Sequence, residues 1–562
     1  MQSKRSYNIS TLVISTFLVG TTLLPGGYLF DDNNHLLRNY LFVLLSITFF
    51  IYQIVTKRDF KLNLSFLSVS VIFFLAYEIA ANMGTMNVRV LYLTCSVLLL
   101  CSLYNIRYNY TVLLWILILV CSVQIIICLM QCVGVMATHG SGLITGSFEN
   151  PSGVSLLLSA SMPFVYTKYK ERRSVYIMLY ILMAWITIFA IGSRAGILSV
   201  SIMTVLFLLR KHYVKSRLIM GMAIGTLVML LLLLIAKSGS TAGRFLIMKL
   251  TLILGFENIW TGSGLWGYTS QYMSVQADYF GNNPESIYAV FADVPMHPLN
   301  EYLLLFVEGG LVGLVLLLVA LYALGRIWTK DNVWCLCLFV IAVQSFFTYS
   351  MRYSFVWFLV ILCISQLLCK SKPNRLLPFT LPLRLVSLAV CLCLTYFVYK
   401  DFCFEYRWSE LINKVKTGRI TDKELSGYKL LEKDWNGNPY FYYNYAAVLR
   451  QERLLKESNI MLCEYGRYVK DYYAVLMCAD NYYDSGYYNI AAKYYRRAHN
   501  MCPVRFVPLQ GLLRSYHESG NIESAYKIAN VIVDKDVKIK SYNVSLIKKE
   551  AEKYLRERKN EE

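Results

Sequence analysis

Three side chains stand out as able to handle a charged substrate: Arg194, Arg244 and His297. Arg194 follows an apolar run directly in FAIGSRAGIL, between Gly192 and Gly196. It has no carboxylate near it in sequence, and its planar fork suits the oxygens of a phosphate. The flanking glycines would let the backbone approach a ligand closely. An arginine anchoring a span at the interface reads the same way. Arg244 opens a helical pattern in STAGRFLIMKL, with Lys237 and Lys249 nearby; a solvated helix face is the competing reading. His297 stands in MHPLNEYLLLFVEGGLVG, where the polar head HPLNEY runs into an apolar helix. Its pKa near neutrality lets it take a proton from a hydroxyl, or it is an interfacial cap. Asn150, before Pro151 in SFENPSG, is either a ligand contact or a helix N-cap. The stretch TGSGLWG lacks the Walker lysine and the Rossmann context, so it reads as a tight turn near a substrate.

The elements that must position these groups are membrane helices. The chain has 562 residues, 56% hydrophobic and 16% charged, where a soluble protein carries about a quarter charged residues. Runs such as LVGLVLLLVALYAL are long enough to cross a hydrocarbon core of about 30 Å. Thirteen spans are expected, at 9–29, 37–55, 64–83, 88–104, 111–135, 153–167, 174–191, 195–210, 217–236, 301–325, 332–350, 354–369 and 383–399. The first run ends in PGGYLF rather than in a small-residue cleavage site, which argues against a cleaved signal peptide. The fifteen cysteines lie mostly in these spans and there behave as small hydrophobes. No Cys/His metal spacing occurs. Cys463, Cys478 and Cys502 fall in the tail, and their odd count gives a disulfide there little support.

The net charge of +20 lies mostly in the first 400 residues, with 28 Lys+Arg against 13 Asp+Glu; residues 401–562 hold 27 against 22. The excess is topological rather than a nucleic-acid footprint, and no nucleic-acid motif appears. One set of loops carries 20 basic residues and the other 7: Arg38, Arg89, Arg194, Lys237, Arg244, Lys249 and Arg352. The richer side is cytoplasmic. An odd number of spans then places residues 401–562 outside, in the periplasm of a Gram-negative inner-membrane protein. The external loop 237–300 is the longest non-apolar segment of the membrane half, and long loops are usually functional.

The tail is rich in Tyr and in helix formers. Gly486 and Gly520 stand 34 residues apart, as do Ala491 and Ala525. That is the period of the tetratricopeptide repeat, a helical array that commonly binds a protein partner. A helical domain that only braces the long loop is the alternative.

Loops carrying Asn150, Arg194, Arg244 and His297 share one expected side. Two cations and a base at a membrane surface point to a lipid-linked phosphate donor and a hydroxyl acceptor. The ordered stretches TGSFENPSGVSLLL, IGSRAGIL, AGRFLIMKLTLILGFENIWTGSGLWGY and HPLNEYLLLFVEGGLVGL resemble the O-antigen ligase/polymerase family of bacterial membrane glycosyltransferases, over a core of about 135–370. The spans make an all-α bundle of about 13 membrane helices, and the resemblance implies a large external loop between late spans. It also implies en bloc transfer of a glycan from undecaprenyl diphosphate, inverting, with no metal or cofactor. It implies that Arg194 and Arg244 hold the diphosphate and that His297 activates the acceptor. Asn300, Glu301 and Tyr302 resemble the Asn-x-Tyr part of the motif. Members commonly read HxHN or HN, whereas here Leu299 stands in place of the second His.

The acceptor stays open: lipid A-core (a ligase), a lipid-linked repeat unit (a polymerase) or a protein hydroxyl (an O-oligosaccharyltransferase). A glycan flippase would call for charged pairs near mid-membrane and repeated spans; a non-catalytic scaffold would tolerate loss of Arg194 and His297.

Overall fold

The computed structural model describes residues 2–24, 34–57, 59–81, 88–138, 143–209, 238–329, 332–370, 376–418, 420–435 and 437–559. The expected span 217–236 and Lys237 lie outside them, as do Arg58, Arg210, Lys211, Lys215, Arg217, Lys330, Lys372 and Arg375 among the charges used for orientation. The described residues form an all-α polytopic protein of 22 α-helices with one two-stranded ribbon.

In chain order the helices are α1 (Gln2–Leu23), α2 (Asn34–Thr56), α3 (Phe66–Ala81), α4 (Val88–Tyr104), α5 (Tyr110–Cys132), α6 (Pro151–Arg172), α7 (Val175–Ile191) and α8 (Arg194–Leu209). Next come α9 (Ser238–Glu257), α10 (Gly267–Asn282), α11 (Glu301–Arg326), α12 (Val333–Ser345), α13 (Ser354–Lys370) and α14 (Leu381–Thr417). The tail continues with α15 (Asp422–Lys433), α16 (Tyr440–Gln451), α17 (Leu455–Tyr465), α18 (Tyr472–Asp484), α19 (Tyr488–Met501), α20 (Val507–Glu518), α21 (Ile522–Asp534) and α22 (Tyr542–Lys559). Strands β1 (Lys61–Asn63) and β2 (Leu376–Pro378) pair antiparallel.

Among the described residues, five helices are long and apolar enough to cross a membrane by length and composition: Leu36–Thr56, Tyr110–Cys132, Gly239–Glu257, Glu301–Arg326 and Leu381–Thr417; seven more apolar helices have 10–17 residues. The segment 239–257, which the sequence places in the external loop, is thus itself an apolar helix.

Two compact units are formed. The first holds Met1–Ala236, Leu299–Tyr302 and Leu311–Glu410; the second holds Lys237–Pro298, Leu303–Gly310 and Leu411–Glu562. In the first unit, asparagines start several helices. Asn109, Asn150 and Asn332 adopt extended backbone, and their side chains accept first-turn N–H groups that have no helical partner. Hydroxyls inside the apolar helices bond one turn back, as from Ser46 to the Phe42 carbonyl at 2.7 Å and from Ser345 to that of Ile341 at 2.9 Å. They therefore need no water in the bilayer. Arg384 donates to the carbonyls of Ile54 and Lys57, both at 2.8 Å, and so satisfies the end of α2. Aromatic contacts such as Phe17 on Phe358, at 5.1 Å between ring centres, fill the interior.

In the second unit, residues 238–298 of the loop and the tail make one body. Leu246, Leu250 and Leu254 of α9 are buried in a common core with Tyr268 and Tyr272 of α10 and with Tyr472, Ala498 and Met501 of the tail. Gln276 donates to the Met501 carbonyl at 2.6 Å, and Lys470 N–H to the Thr269 carbonyl at 3.0 Å. Groups bonded in this way cannot lie on opposite faces of a bilayer. The tail therefore shares the side of the loop, whatever the number of spans. From α16 to α22 consecutive helices pack on one another. Gly486 and Gly520 lie in inter-helix turns, and Ala491 and Ala525 are fully buried. All fifteen cysteines are free thiols.

Candidate active site

In the first unit the site is built around the TGSFENPSG loop. Gln131 Oε1 accepts the N–H groups of Thr145 and Gly146 at 3.0 and 2.8 Å, and Gln124 Oε1 accepts that of Ser147 at 3.0 Å. Arg38 at the start of α2 is 1% exposed. Its Nη2 donates to the Ser147 carbonyl at 2.8 Å, its Nε to the Leu24 carbonyl at 3.0 Å, and its guanidinium lies 4.9 Å from the Phe148 ring. Asn150 then caps α6, its Oδ1 accepting Ser152 N–H at 2.9 Å. Of its two readings, capping is the contact seen. Beside it, Glu149 pairs with Arg352 at 3.6 Å, and Ser152 Oγ lies 3.2 Å from the Tyr353 phenol.

Arg194 is the first residue of α8 and is half-buried. A Cβ on Gly196 would come within 1.9 Å of Ser155 Oγ. Gly196 thus lets α8 approach α6 closely, about one turn from Asn150. It brings Arg194 and the start of α6 to the same part of the unit.

The HPLNEY stretch is divided. His297 and Pro298 fold with the second unit, and Leu299–Tyr302 with the first. At the boundary Leu299 has φ 54°, a conformation bulky residues rarely adopt and one that concentrates at functional sites. Asn300 is buried and its Oδ1 accepts Tyr302 N–H at 3.0 Å, starting α11. Glu301 Oε1 accepts Met351 N–H at 2.7 Å, and the Tyr302 phenol donates to the Ala342 carbonyl at 3.0 Å. Both carboxylate and phenol therefore fix the 342–352 segment.

The second unit carries Arg244 and His297, both half-buried. Arg244 lies in the second turn of α9, and a Cβ built on Gly243 just before it would lie 3.6 Å from the Phe291 carbonyl oxygen, in the segment that leads to His297. Lys249 turns to Tyr279, at 3.3 Å from its phenol. The Ser286 hydroxyl and Lys249 pull that phenol below its ordinary pKa. Four residues before His297, Asp293 Oδ1 binds Arg505 of the tail at 3.1 Å. Arg505 also stacks on Tyr472 at 4.4 Å.

The glycine-rich loop has a structural role. At Gly310, φ 61° and ψ −161° break α11. The break frees carbonyls that a helix would use, and Ser263 N–H reaches that of Val307 at 2.7 Å while Gly264 N–H reaches that of Glu308 at 2.9 Å. The TGSG turn plugs the broken helix. Glu308, within the break, is 6% exposed; a carboxylate so placed is costly and commonly functional.

Sequence reasoning did not single out Glu149 or Glu308 as candidates, and it counted Arg38 and Arg352 only as topological charges. Glu149 stood beside Asn150 in SFENPSG, and the Gly309–Gly310 pair after Glu308 was the local sign of a break.

The fold and these groups define a helical polytopic membrane protein with charged clusters at helix mouths. Residues 179–318 match the family model described as O-Antigen ligase, which supports an O-antigen ligase-family membrane protein of ligase or polymerase type. The match spans Arg194, Arg244, His297, Asn300 and Glu301 and leaves out Asn150. No curated protein matches the chain.

Proposed function

We propose that this protein transfers a glycan en bloc from undecaprenyl diphosphate to an acceptor hydroxyl at the periplasmic face of the bacterial inner membrane. The observation that carries this reading is that one O-antigen ligase match spans Arg194, Arg244 and His297 together. The acceptor oxygen attacks the anomeric carbon while His297 takes its proton. The bond from that carbon to the phosphate oxygen breaks, and its electron pair stays on the leaving diphosphate. Arg194 and Arg244 stabilise the charge that grows there. A diphosphate leaves readily, so no general acid is needed. The acceptor is lipid A-core, a second lipid-linked glycan or a protein hydroxyl. The tail, read as tetratricopeptide-like, braces the loop that carries Arg244 and His297 and offers a surface to a protein partner.

The test is complementation of a deletion strain. Wild-type protein restores the long glycan, whereas His297→Ala and Arg194→Ala reach the membrane in normal amount and restore none. Full restoration by both variants refutes the assignment. Loss of long chains from lipid A-core alone in the deletion strain selects ligase, single-repeat glycans select polymerase, and unglycosylated proteins select the protein acceptor.

A further inference from the structure

We propose that Glu149, Arg352, Ser152 and Tyr349 form a subsite for glycan hydroxyl groups, distinct from the groups that hold the diphosphate; this rests on the transferase reading above. The Glu149–Arg352 pair stands at 3.6 Å, with side chains 33% and 40% exposed, so it is open to a ligand and not locked in the core. Its charge pattern selects the ligand. A phosphate would have to displace Glu149 from Arg352 and then face a carboxylate. A sugar hydroxyl can donate to the carboxylate and accept from the guanidinium at once. Beside this pair the Ser152 hydroxyl lies 3.2 Å from the Tyr353 phenol. The Tyr349 ring lies nearly parallel to that of Tyr353, 6.0 Å between centres.

The cluster is fixed from below, as a binding site must be. Met351, next to Arg352, is held through both its backbone groups: Glu301 Oε1 accepts its N–H at 2.7 Å, and Trp357 Nε1 donates to its carbonyl at 2.6 Å. Glu149 is anchored by its neighbours, Phe148 packing on Tyr353 and Phe355 at 5.6 and 5.4 Å and Asn150 capping α6. Beneath it lies buried Arg38, whose Nη1 has no hydrogen-bond partner and whose charge bears on Glu149. A carboxylate paired with a guanidinium offers sugar hydroxyls both an acceptor and a donor.

The experiment uses full-length protein reconstituted in lipid vesicles. The substrates are its lipid-linked donor and the acceptor found by the deletion strain. Two inhibitors are compared: the free oligosaccharide released from the donor by mild acid, and inorganic pyrophosphate. For Glu149→Gln and Arg352→Lys, KM for one glycan substrate rises about tenfold with kcat within about twofold, the scale of one charge-assisted hydrogen bond. Inhibition by the oligosaccharide weakens about as much, and inhibition by pyrophosphate is unchanged. A rise for the donor or for the acceptor tells which glycan occupies the subsite. Unchanged KM for both, or weakened inhibition by pyrophosphate in place of the oligosaccharide, overturns the proposal. If Glu149→Gln fails to accumulate, Glu149→Asp and Ser152→Ala are assayed in its place, and the same two outcomes support or overturn the subsite. If wild-type protein transfers nothing, the transferase reading fails. Direct binding of the oligosaccharide to wild-type and Arg352→Lys protein then decides the subsite separately.

Discussion

Replacing Gly262 by Ala tests whether the glycine-rich turn is a plug for the broken helix. Gly262 has φ 70°, and a Cβ there would lie 2.4 Å from both the carbonyl carbon and oxygen of Glu308. The left-handed backbone alone costs an alanine about 1 kcal/mol. The clash is with backbone, so no side chain can swing aside. The two segments must part, which stretches the bonds from Ser263 and Gly264 to the 307 and 308 carbonyls, each worth about 1 kcal/mol. Together these make a local loss of about 3 kcal/mol, or roughly a hundredfold faster amide exchange at Ser263 and Gly264. Gly486→Ala is the control. Gly486 is also left-handed, at φ 81°, but nothing lies within 4 Å of its Cβ position. It should lose only the conformational part, about fivefold in local exchange. Hydrogen exchange on the full-length protein separates the two. A Gly262→Ala protein no more labile at 263–264 than Gly486→Ala is at its own turn would refute the plug. Transfer should fall with the plug, since the same turn supports the break that holds Glu308.

Arg505→Met removes the ion pair with Asp293 and the stack on Tyr472. Asp293 is 79% exposed, so the pair contributes under about 1 kcal/mol and the stack a similar amount. Exchange at 293–297 should rise by roughly tenfold and kcat for transfer should drop, while α16–α22 stay protected; an unchanged kcat would show that the tail does not steady His297. His499 in α19 is held down to about 4, first by burial and then by Lys535. Its folded pKa lies below its unfolded one, near 6.5. Stability of the tail should therefore be full above pH 6.5 and fall between about 6.5 and 4, by up to about 1.4 kcal/mol per pH unit. His499→Gln should flatten that slope in pH-dependent proteolysis of the full chain, and an unaltered slope would remove His499 as its cause.

The features legible in the sequence are those that act over one or two turns. The start of α6 was marked by Asn150, because an N-cap is satisfied by its own next residues. The turns at Gly486 and Gly520 were marked by glycine for the same local reason. Even Leu299, noticed only as a departure from a motif, stands at a left-handed backbone position that a bulky side chain rarely adopts.

What the sequence hid are pairings between distant segments. TGSGLWG looked like a substrate turn because nothing local shows that its N–H groups meet the carbonyls freed at Gly310. Arg352 looked like one charge in a topological count because Glu149, which gives it chemistry, is far away in the chain. The same reasoning singled out Arg194 because no carboxylate stood near it in sequence, a test that Arg352 also passes. Nearness in sequence is therefore a poor guide to which arginine is paired, and pairing decides what an arginine binds. An arginine already answered by a carboxylate favours neutral hydroxyls over anions. On this argument Arg352 belongs with the sugar, and its change should alter glycan affinity while leaving pyrophosphate affinity alone.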